Sequence, residues 1–294
     1  MFVLEKKKSI AYLQAPALAA CDFLVHAFCT RLGGASQEEY RSLNMSFREG
    51  DEEFRVLANW SKLAQAFEIP VENFLVLNQV HGDDIFVIPP HGEYFTSRDA
   101  LNYDAIVTDR TDVAICIKTA DCAPVLLADP VRKVIAAVHA GWRGTALGIT
   151  AKVARLMQTS YRSEPADLLA AIGPSIGGCC YEVDAATADA FNRQKNGTAI
   201  LRPGKKEGKW MLDLVEANRR QLLGCGLSAA NIAAAGLCTV CHPEAFFSHR
   251  GSGGVTGRQV NFLMLRGTAP NRAFVLEDDF QRLHSRGPVP KEAL

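Results

Sequence analysis

Short apolar runs recur along this chain, and most of them are rich in β-branched residues. They are bounded by Gly, Pro or Asp, which is typical of β-strands. Some runs alternate apolar and polar positions while others are continuous, so we predict mixed sheets with one or both faces covered. The predicted strands are Phe74–Leu77, Ile85–Ile88, Ala105–Thr108, Val113–Lys118, Val125–Ala128, Val134–His139 and Leu168–Ile172.

Amphipathic segments lie between and after the predicted strands. Asp51–Phe67 and Thr145–Met157 carry apolar residues at spacings of three and four, a pattern that predicts helices. A third helix is predicted where Asp213 and Glu216 have the spacing of a capping box and Gly224 ends the pattern. Because strands and helices are interspersed, we expect an α/β (or α+β) fold in which mixed β-sheets are flanked by helices.

The charge balance narrows the classes of partner. Lys and Arg total 32, as do Asp and Glu, so the formal net charge of the 294 residues is zero. A neutral chain has no overall field to attract nucleic acid or an anionic membrane, and we expect neither partner. No apolar block has the character of a signal-peptide core or a membrane span, so the expected location is cytoplasmic.

Two polar segments interrupt the regular patterns. Pro89–Asn102 and Asn192–Lys209 look like surface excursions rather than linkers, because strand-like sequence resumes directly after each of them. We therefore predict one layered domain across residues 1–294 rather than two domains joined by a linker.

The stretch richest in chemistry runs from Val134 to Thr145, where a buried strand is predicted to end at His139. A glycine-bounded Gly-Trp-Arg-Gly turn follows, and a helix is predicted to begin near Thr145. Such a junction places backbone N–H groups and the positive end of a helix beside His139 and Arg143. Arg143 would hold an anion there by a bidentate contact, although a well-packed turn with a surface arginine explains the same residues.

Two further reactive residues lie at predicted strand ends. Cys122 lies between two strands, and His81 follows another strand and precedes a glycine. Taken alone, each is more often a structural residue. Together with His139 they form a three-ligand set that suits zinc, with copper as the second choice, and that leaves a fourth position open. Cys122 is equally suited to act as a nucleophile.

The remaining cysteines carry a weaker signal. Cys238–His242 fits the Cys-x-x-Cys-His pattern of haem attachment, which requires export. As half of a zinc site it lacks a second cysteine pair of matching spacing. Cys179 and Cys180 are adjacent in sequence, so we expect their side chains to splay apart. We predict that these cysteines are structural or incidental.

In their order along the chain, these stretches resemble the bacterial YfiH/YlmD-type family, long labelled multicopper polyphenol oxidases or laccase-domain proteins. The His-Ala-Gly-Trp-Arg-Gly stretch is the most specific part of the resemblance, which extends over nearly the whole chain. The matching stretches are Thr30–Gly34, Ser42–Asn44, Asn78–Gly82, Asp104–Ala105, Thr119–Cys122, Ala137–Gly144, Ile172–Gly177, Cys238–Thr239, Phe246–Arg250 and Thr256–Arg258.

The resemblance implies a single α/β domain with a zinc-capable, catalytic centre of His81, Cys122 and His139. It implies a purine nucleoside phosphorylase that converts adenosine, inosine or methylthioadenosine, with phosphate, into the free base and ribose 1-phosphate or its methylthio analogue. Deamination of adenosine is the implied side activity. The substrate and phosphate contacts are expected from Arg31, Asn44, Arg143 and Arg250.

Three other functions fit the same residues. A Cys–His hydrolase or amidase, for example one that edits peptidoglycan precursors, would use Cys122 as nucleophile and His139 or His81 as base. Copper-dependent polyphenol oxidation matches the older label, although seven histidines are few for a multicopper cluster. A metal-buffering or partner-binding protein is the non-enzymatic alternative.

The chain departs from the family pattern after Phe246–Arg250. The loop Gly251–Gly254 replaces the charged run that we expect at this position, which leaves the role of Arg250 open.

Overall fold

The computed structural model describes residues 1–89, 102–111, 113–192 and 200–267. Its strands are β1 Val3–Lys7, β2 Ile10–Gln14, β3 Leu24–Cys29, β4 Phe74–Val76, β5 Ile85–Val87, β6 Ala105–Thr108, β7 Ala114–Thr119, β8 Ala123–Asp129, β9 Val134–Ala140, β10 Leu169–Ile172, β11 Glu182–Asp184, β12 Leu201–Pro203, β13 Lys209–Leu212, β14 Ile232–Ala234 and β15 Gln259–Leu265. Its α-helices are α1 Pro16–Ala19, α2 Glu53–Phe67, α3 Trp142–Ala146, α4 Ile149–Tyr161, α5 Ala185–Asn192 and α6 Leu214–Gly224.

The strands form two six-stranded sheets and one small sheet. The first sheet has the order β1-β2-β3-β15-β7-β4, and the second has the order β14-β10-β8-β9-β6-β5. Most neighbours are antiparallel, but the pairs β4/β7, β5/β6 and β10/β14 are parallel. The small sheet, β11-β13-β12, is antiparallel. Mixed sheets with flanking helices confirm the predicted fold class.

The two large sheets pack face to face, and helices cover their outer faces. Successive side chains of β8 point to opposite faces of the second sheet. Leu126 packs in the core between the two large sheets, together with Ile115 of the first sheet. Its neighbours Val125 and Leu127 point the other way and pack with Val153 of α4. On the far side, α2 covers the outer face of the first sheet. Most central strands are therefore buried on both faces, which explains their continuous apolar runs.

All seven predicted strands are present, with ends that shift by a few residues. The sequence patterns missed β1, β2, β3 and β15, which make up most of the first sheet. Strand β1 is exposed along its whole length and is rich in Glu and Lys. Strand β3 buries His26, and β15 buries Gln259 and Asn261. Polar residues held inside a sheet by tertiary contacts hide the strand pattern from sequence inspection.

The helix expected to begin near Thr145 is wrong in its boundary. A short helix, α3, already begins at Trp142, and Gly148 then breaks the chain with a φ of 82° before α4 begins at Ile149. The other two predicted helices correspond to α2 and α6, and the Asp213 carboxylate caps α6 by accepting from the Glu216 backbone N–H at 2.9 Å.

The two predicted surface excursions have different outcomes. Most of the first falls in residues 90–101, outside the described part of the chain. In the second, residues 193–199 are also outside it, but the expectation is wrong for Leu201–Pro203, which form β12 with Leu201 buried. Across the described ranges, no helix combines the length and apolar character needed to cross a bilayer.

Candidate metal centre and active site

The three candidate ligands meet where the chain passes between the two large sheets. Strand β7 of the first sheet ends just before Cys122, and β8 of the second sheet begins just after it. Because Ala123 pairs with Ala140 and Pro124 pairs with His139, Cys122 lies beside the end of β9. His81 lies in the loop that leads from β4 to β5, which is a second crossing between the same sheets.

The side chains of His81, Cys122 and His139 converge. One ligand atom from each lies within 4.8 Å of the other two. The imidazole rings of the two histidines are 4.8 Å apart between centroids and lie nearly perpendicular. His139 is buried, Cys122 is half-buried and His81 is exposed, so the group is open on the His81 side. We refer to these three residues as the His–Cys–His centre.

Asp104 holds two parts of this centre in place. Its fully buried carboxylate accepts backbone N–H groups from Val80 at 3.2 Å, His81 at 3.0 Å and Gly82 at 2.6 Å. The same carboxylate is 2.7 Å from Nδ1 of His139. When that nitrogen carries the proton, Nε2 of His139 is left free to act as a ligand or a base, which is the usual arrangement behind a metal-bound histidine.

Charge coupling stabilises a thiolate in the centre. Burial by itself would raise the pKa of the Cys122 thiol, but the charge of His139 and hydrogen bonds with both imidazoles lower it to about 6. Burial would likewise lower the pKa of His139, whereas the charge of Cys122 and the bond to Asp104 raise it to about 9. Near neutral pH and without a metal, the pair is therefore a thiolate beside an imidazolium, and the Nε2 proton of His139 would leave when a metal binds.

The two glycines of the Gly-Trp-Arg-Gly turn lie where a side chain would be crowded. A Cβ at Gly141 would lie 3.1 Å from both Sγ of Cys122 and Cδ2 of His81. A Cβ at Gly144 would lie 2.5 Å from the carbonyl oxygen of Gly82, which is closer than packing permits. The backbone of the turn therefore lies directly against the His–Cys–His centre at Gly141 and against the Gly82 backbone at Gly144.

The donor set fits a transition metal with an open coordination position. Two imidazoles and one thiolate are ligands that zinc and copper accept, and catalytic zinc sites use three protein ligands. The exposed side at His81 leaves space for a further ligand. Asp104 supplies the hydrogen bond that orients His139.

Asp121 ties the glycine-rich loop to the backbone beside Cys122. It has a φ of 92°, which is rare for a residue with a side chain. Its carboxylate accepts the hydroxyls of Thr239 and Ser248 at 2.6 Å each, and the backbone N–H of Arg250 at 2.7 Å. The loop that follows Phe-Phe-Ser-His-Arg is thereby fixed next to the centre.

Two arginines and a tyrosine lie around this centre. Arg143 is exposed at the start of α3, and Arg250 is exposed with its guanidinium 5.1 Å from the centre of the Tyr181 ring. Burial raises the pKa of the Tyr181 phenol, and so does the charge of Cys122, while Arg250 and Arg143 oppose the rise. All three charged groups are thus close enough to act on Tyr181, which keeps its proton at neutral pH.

The other two predicted contact residues make structural hydrogen bonds. The Arg31 guanidinium donates to the carbonyls of Arg41 at 2.6 Å and Pro243 at 2.8 Å, and it stacks on the Phe247 ring at 4.5 Å. Asn44 is fully buried and its amide donates to the Ser46 carbonyl and to an Asp51 carboxylate oxygen. Their roles toward a substrate remain predictions.

Sequence inspection overlooked Asp104, Asp121 and Tyr181 as functional residues. Asp104 directly precedes the buried strand β6, and an acidic residue at such a strand end is a usable signal. Asp121 directly precedes Cys122, but nothing in the sequence shows that its partners come from residues 239–250. Tyr181 carries no local signal at all, because only the tertiary fold brings it near Cys122.

The expectation that Cys179 and Cys180 splay apart is wrong. Both sulfurs lie near that of Cys241, at 3.7 Å for Cys179 and 3.5 Å for Cys180. The Sγ atom of Cys238 belongs to the same group, in which all four sulfurs are within 4.8 Å of one another. The turn between residues 177 and 181 is tight enough to aim adjacent side chains at one point. We call these residues the four-cysteine cluster.

Comparison with known proteins defines the family. A family model described as multi-copper polyphenol oxidoreductase laccase matches residues 25–266. The chain belongs to this family, and the resemblance to YfiH/YlmD-type proteins is confirmed. The solved structure of YlmD from Geobacillus stearothermophilus superposes with a TM-score of 0.82 at 33% identity, covering 91% of this chain and 100% of that one. Bacillus licheniformis hypothetical protein YfiH gives 0.82 at 32% identity, covering 90% and 99%.

The curated relatives carry one recurring name. A Deinococcus radiodurans protein named purine nucleoside phosphorylase is 39% identical over 247 residues, which cover 84% of this chain and 89% of the relative. Purine nucleoside phosphorylase YlmD of Geobacillus stearothermophilus is 36% identical over 245 residues, covering 81% and 89%. The relatives are therefore named as enzymes of nucleoside chemistry, in contrast to the oxidase description of the family model.

Proposed function

We propose that this protein is a purine nucleoside phosphorylase that acts at the His–Cys–His centre on adenosine, inosine and methylthioadenosine. The observation that carries the proposal is the convergence of His81, Cys122 and His139 in front of Asp104, in a chain whose relatives bear that name. The products are the free purine and ribose 1-phosphate, or its methylthio analogue. The expected cellular location is the cytoplasm.

The reaction exchanges one bond at the sugar for another. A phosphate oxygen forms a bond to C1′ as the bond from C1′ to the purine nitrogen breaks, and the purine leaves with the electron pair and takes up a proton. Such a displacement needs cations that hold phosphate against C1′ and a donor for the developing charge. Arg143 and Arg250 would supply the positive charge, and the protonated Tyr181 hydroxyl near them would supply a hydrogen-bond donor.

His81, Cys122 and His139 would hold the metal, with zinc preferred and copper as the alternative. When bound, the metal supplies Lewis-acid polarisation of an oxygen or nitrogen ligand. The protein's own part is to fix the geometry. Asp104 keeps His139 in one tautomer and orientation, and Gly141 lets the backbone close over the thiolate without a side chain in the way.

The test is an assay of the purified protein with adenosine, with and without phosphate, analysed by mass spectrometry. Adenine and ribose 1-phosphate that form only with phosphate would support the proposal. Arg143→Gln should raise the apparent KM for phosphate, and Arg132→Gln, a change at an exposed arginine on the β8–β9 turn, serves as the matched control. Absence of any nucleoside product with metal-loaded protein would refute it.

Deamination of adenosine is the proposed side activity of the same centre. Water would add at C6 of the purine and ammonia would leave, giving inosine without any need for phosphate. Incubation with adenosine alone therefore separates the two reactions. Inosine in the phosphate-free sample that disappears in Cys122→Ala would assign this activity to the centre, and inosine that persists in the variant would assign it elsewhere.

A Cys–His hydrolase is the second candidate, and one observation favours it specifically. Asp104, His139 and Cys122 have the carboxylate–imidazole–nucleophile order of a catalytic triad, with the thiol already ionised near neutral pH. An amide of a cell-wall precursor is the substrate class proposed for this alternative. Metal-free protein that cleaves amides, and that a thiol alkylator inactivates, would favour it. Activity that requires added metal would exclude it.

The small number of histidine-containing metal sites argues against multicopper oxidation. Within the described ranges, two groups of side chains have the arrangement to hold a metal, and one of them contains no histidine. The usual multicopper cluster needs several copper ions with mainly imidazole ligands. Dioxygen uptake proportional to bound copper with a phenol as the reductant would reverse this preference.

A further inference from the structure

The geometry of the four-cysteine cluster points to a second, structural metal site, and we propose that Cys179, Cys180, Cys238 and Cys241 bind one zinc ion as a tetrathiolate. The four sulfurs come from two turns and lie within 4.8 Å of one another. Zinc–sulfur bonds of about 2.3 Å place the sulfurs of a tetrahedral site about 3.8 Å apart. The separations of 3.5 Å and 3.7 Å from Cys241 match that spacing.

The spacing fits one ion better than the alternatives for four thiols. A disulfide joins its sulfurs at about 2.05 Å, far shorter than these separations. A polynuclear iron–sulfur cluster would spread the four sulfurs around several metal ions. Four thiolates without a histidine or carboxylate among them are a soft, saturated ligand set of the kind found in structural zinc sites. Zinc is redox-inert, and its binding would release one proton from each thiol that is still protonated.

The backbone around the cluster has the features of a thiolate-binding turn. The Gly177 N–H donates to Sγ of Cys238 at 3.2 Å. Hydrogen bonds from the backbone stabilise a sulfur that carries negative charge. A Cβ at Gly177 would lie 3.1 Å from Sγ of Cys179 and 3.2 Å from Cβ of Cys238, so a side chain there would crowd the sulfurs.

A neighbouring cation lowers the electrostatic cost of gathering four thiolates. The Arg202 guanidinium donates to the carbonyl of Gly178 at 3.3 Å, one residue before Cys179. A zinc tetrathiolate has a net charge of −2, so a positive charge beside the turn favours it. The exposure of Cys179 and Cys241 gives a metal ion direct access from solvent.

The proposed zinc would brace one wall of the candidate active site. One of its two turns continues directly into Tyr181, which packs under Arg250. On either side of the cluster, the Ile176 N–H donates to the Asp121 carbonyl at 2.8 Å, and the Thr239 hydroxyl donates to the Asp121 carboxylate at 2.6 Å. A metal crosslink between the turns would therefore hold both partners of Asp121, the residue that precedes Cys122.

Metal content of the intact protein tests the proposal without any substrate, so the outcome does not depend on the proposed nucleoside chemistry. The protein is purified without chelator, and the number of zinc ions per chain is measured by inductively coupled plasma mass spectrometry. We expect Cys241→Ser to contain about one zinc ion fewer per chain than the unchanged protein. Cys21→Ser, a change at a half-buried cysteine outside both groups, should keep the full content.

Three further variants guard against misfolding and separate the two centres. Cys179→Ser alters an exposed residue, so its loss of zinc should occur with unchanged circular dichroism. Cobalt(II) added to metal-free Cys122→Ala should give strong thiolate-to-cobalt charge-transfer absorption, since the cluster is intact there. The same band should be absent from the Cys122→Ala/Cys241→Ser double variant.

Three results would overturn the proposal. The first is an unchanged zinc content in folded Cys179→Ser and Cys241→Ser. The second is purified protein in which alkylation and mass analysis find a disulfide between the two turns and no zinc. The third is stoichiometric iron in place of zinc after expression in medium that contains both metals.

Discussion

The His–Cys–His centre lies where strands of the two large sheets end, whereas the four-cysteine cluster lies in two turns outside the strands. The first combines two nitrogens with one sulfur and leaves a coordination position open. The second offers four sulfurs, which complete a tetrahedron. A buried carboxylate, Asp104, stands behind the first, while a backbone N–H group stands behind the second. Open and mixed ligands suit catalysis, whereas a saturated sulfur set suits structural support.

The largest effect that distinguishes the two regions is expected from cysteine substitution. Cys122→Ala should lower phosphorolysis about a thousandfold, because it removes a group at the proposed reacting centre. Cys241→Ser should lower turnover less than tenfold, since it acts only by loosening the wall at Tyr181. Initial rates and melting temperatures of both variants measure this difference, with Cys225→Ser as the control. Equal losses of turnover with both proteins folded would erase the distinction.

Metal release from the two centres can be compared by lowering the pH. The free energy of unfolding also falls at low pH because of His26, which belongs to neither centre. Burial lowers the pKa of His26 to about 4, and its Nε2 accepts the Ala15 N–H at 3.0 Å. In the unfolded chain, the His26 ring takes up a proton near pH 6.5. The contribution of the buried, neutral ring to the free energy of unfolding is therefore complete above pH 6.5 and is lost as the pH falls toward 4. The loss is on the order of 3 kcal/mol.

His26→Gln separates this effect from metal release. Urea unfolding of metal-free protein at pH 7.5 and pH 4.5 should show that the unchanged protein loses about 2 to 3 kcal/mol more than the variant between the two conditions. Identical pH dependence of the two proteins would mean that His26 is not the acid-sensitive group.

Asp104→Asn sharpens the contrast by weakening one centre and leaving the other intact. The amide oxygen cannot replace a carboxylate that accepts three N–H groups and orients His139, so zinc affinity at the His–Cys–His centre should fall about tenfold to a hundredfold. Zinc held by the four-cysteine cluster should be unaffected. Competition with a chromophoric chelator resolves the two affinities, and a drop in both would point to general unfolding.

A matched pair of glycine substitutions gives the smallest expected effect. Gly141→Ala places a methyl group 3.1 Å from Sγ of Cys122, and Gly177→Ala places one 3.1 Å from Sγ of Cys179. Each should cost about 1 to 3 kcal/mol through overpacking and weaken metal binding at its own centre. Metal titration of both variants checks that the effects do not cross over. Gly224→Ala, where no atom lies within 4 Å of the new Cβ, is the control for loss of a glycine without crowding.

Local sequence patterns predicted the strands that form most of the second sheet and the helices α2 and α6. They did so because burial on one face imposes a period on neighbouring residues, and burial on both faces gives a continuous apolar run. They missed most of the first sheet, where β1 is an exposed edge and β3 and β15 bury polar side chains. Pairing with distant strands stabilises such segments, and that pairing leaves no local period.

The sequence alone determined the fold class from local patterns and the family from short motifs, and the family resemblance predicted His81, Cys122 and His139 as a metal centre. Only the tertiary structure placed Asp104 behind His139, Tyr181 beside Arg250 and two turns of cysteines around one point. The physical reason is distance along the chain. Hydrogen bonds and metal ligation act over a few ångströms in space, and strand pairing and turns decide which distant residues come that close.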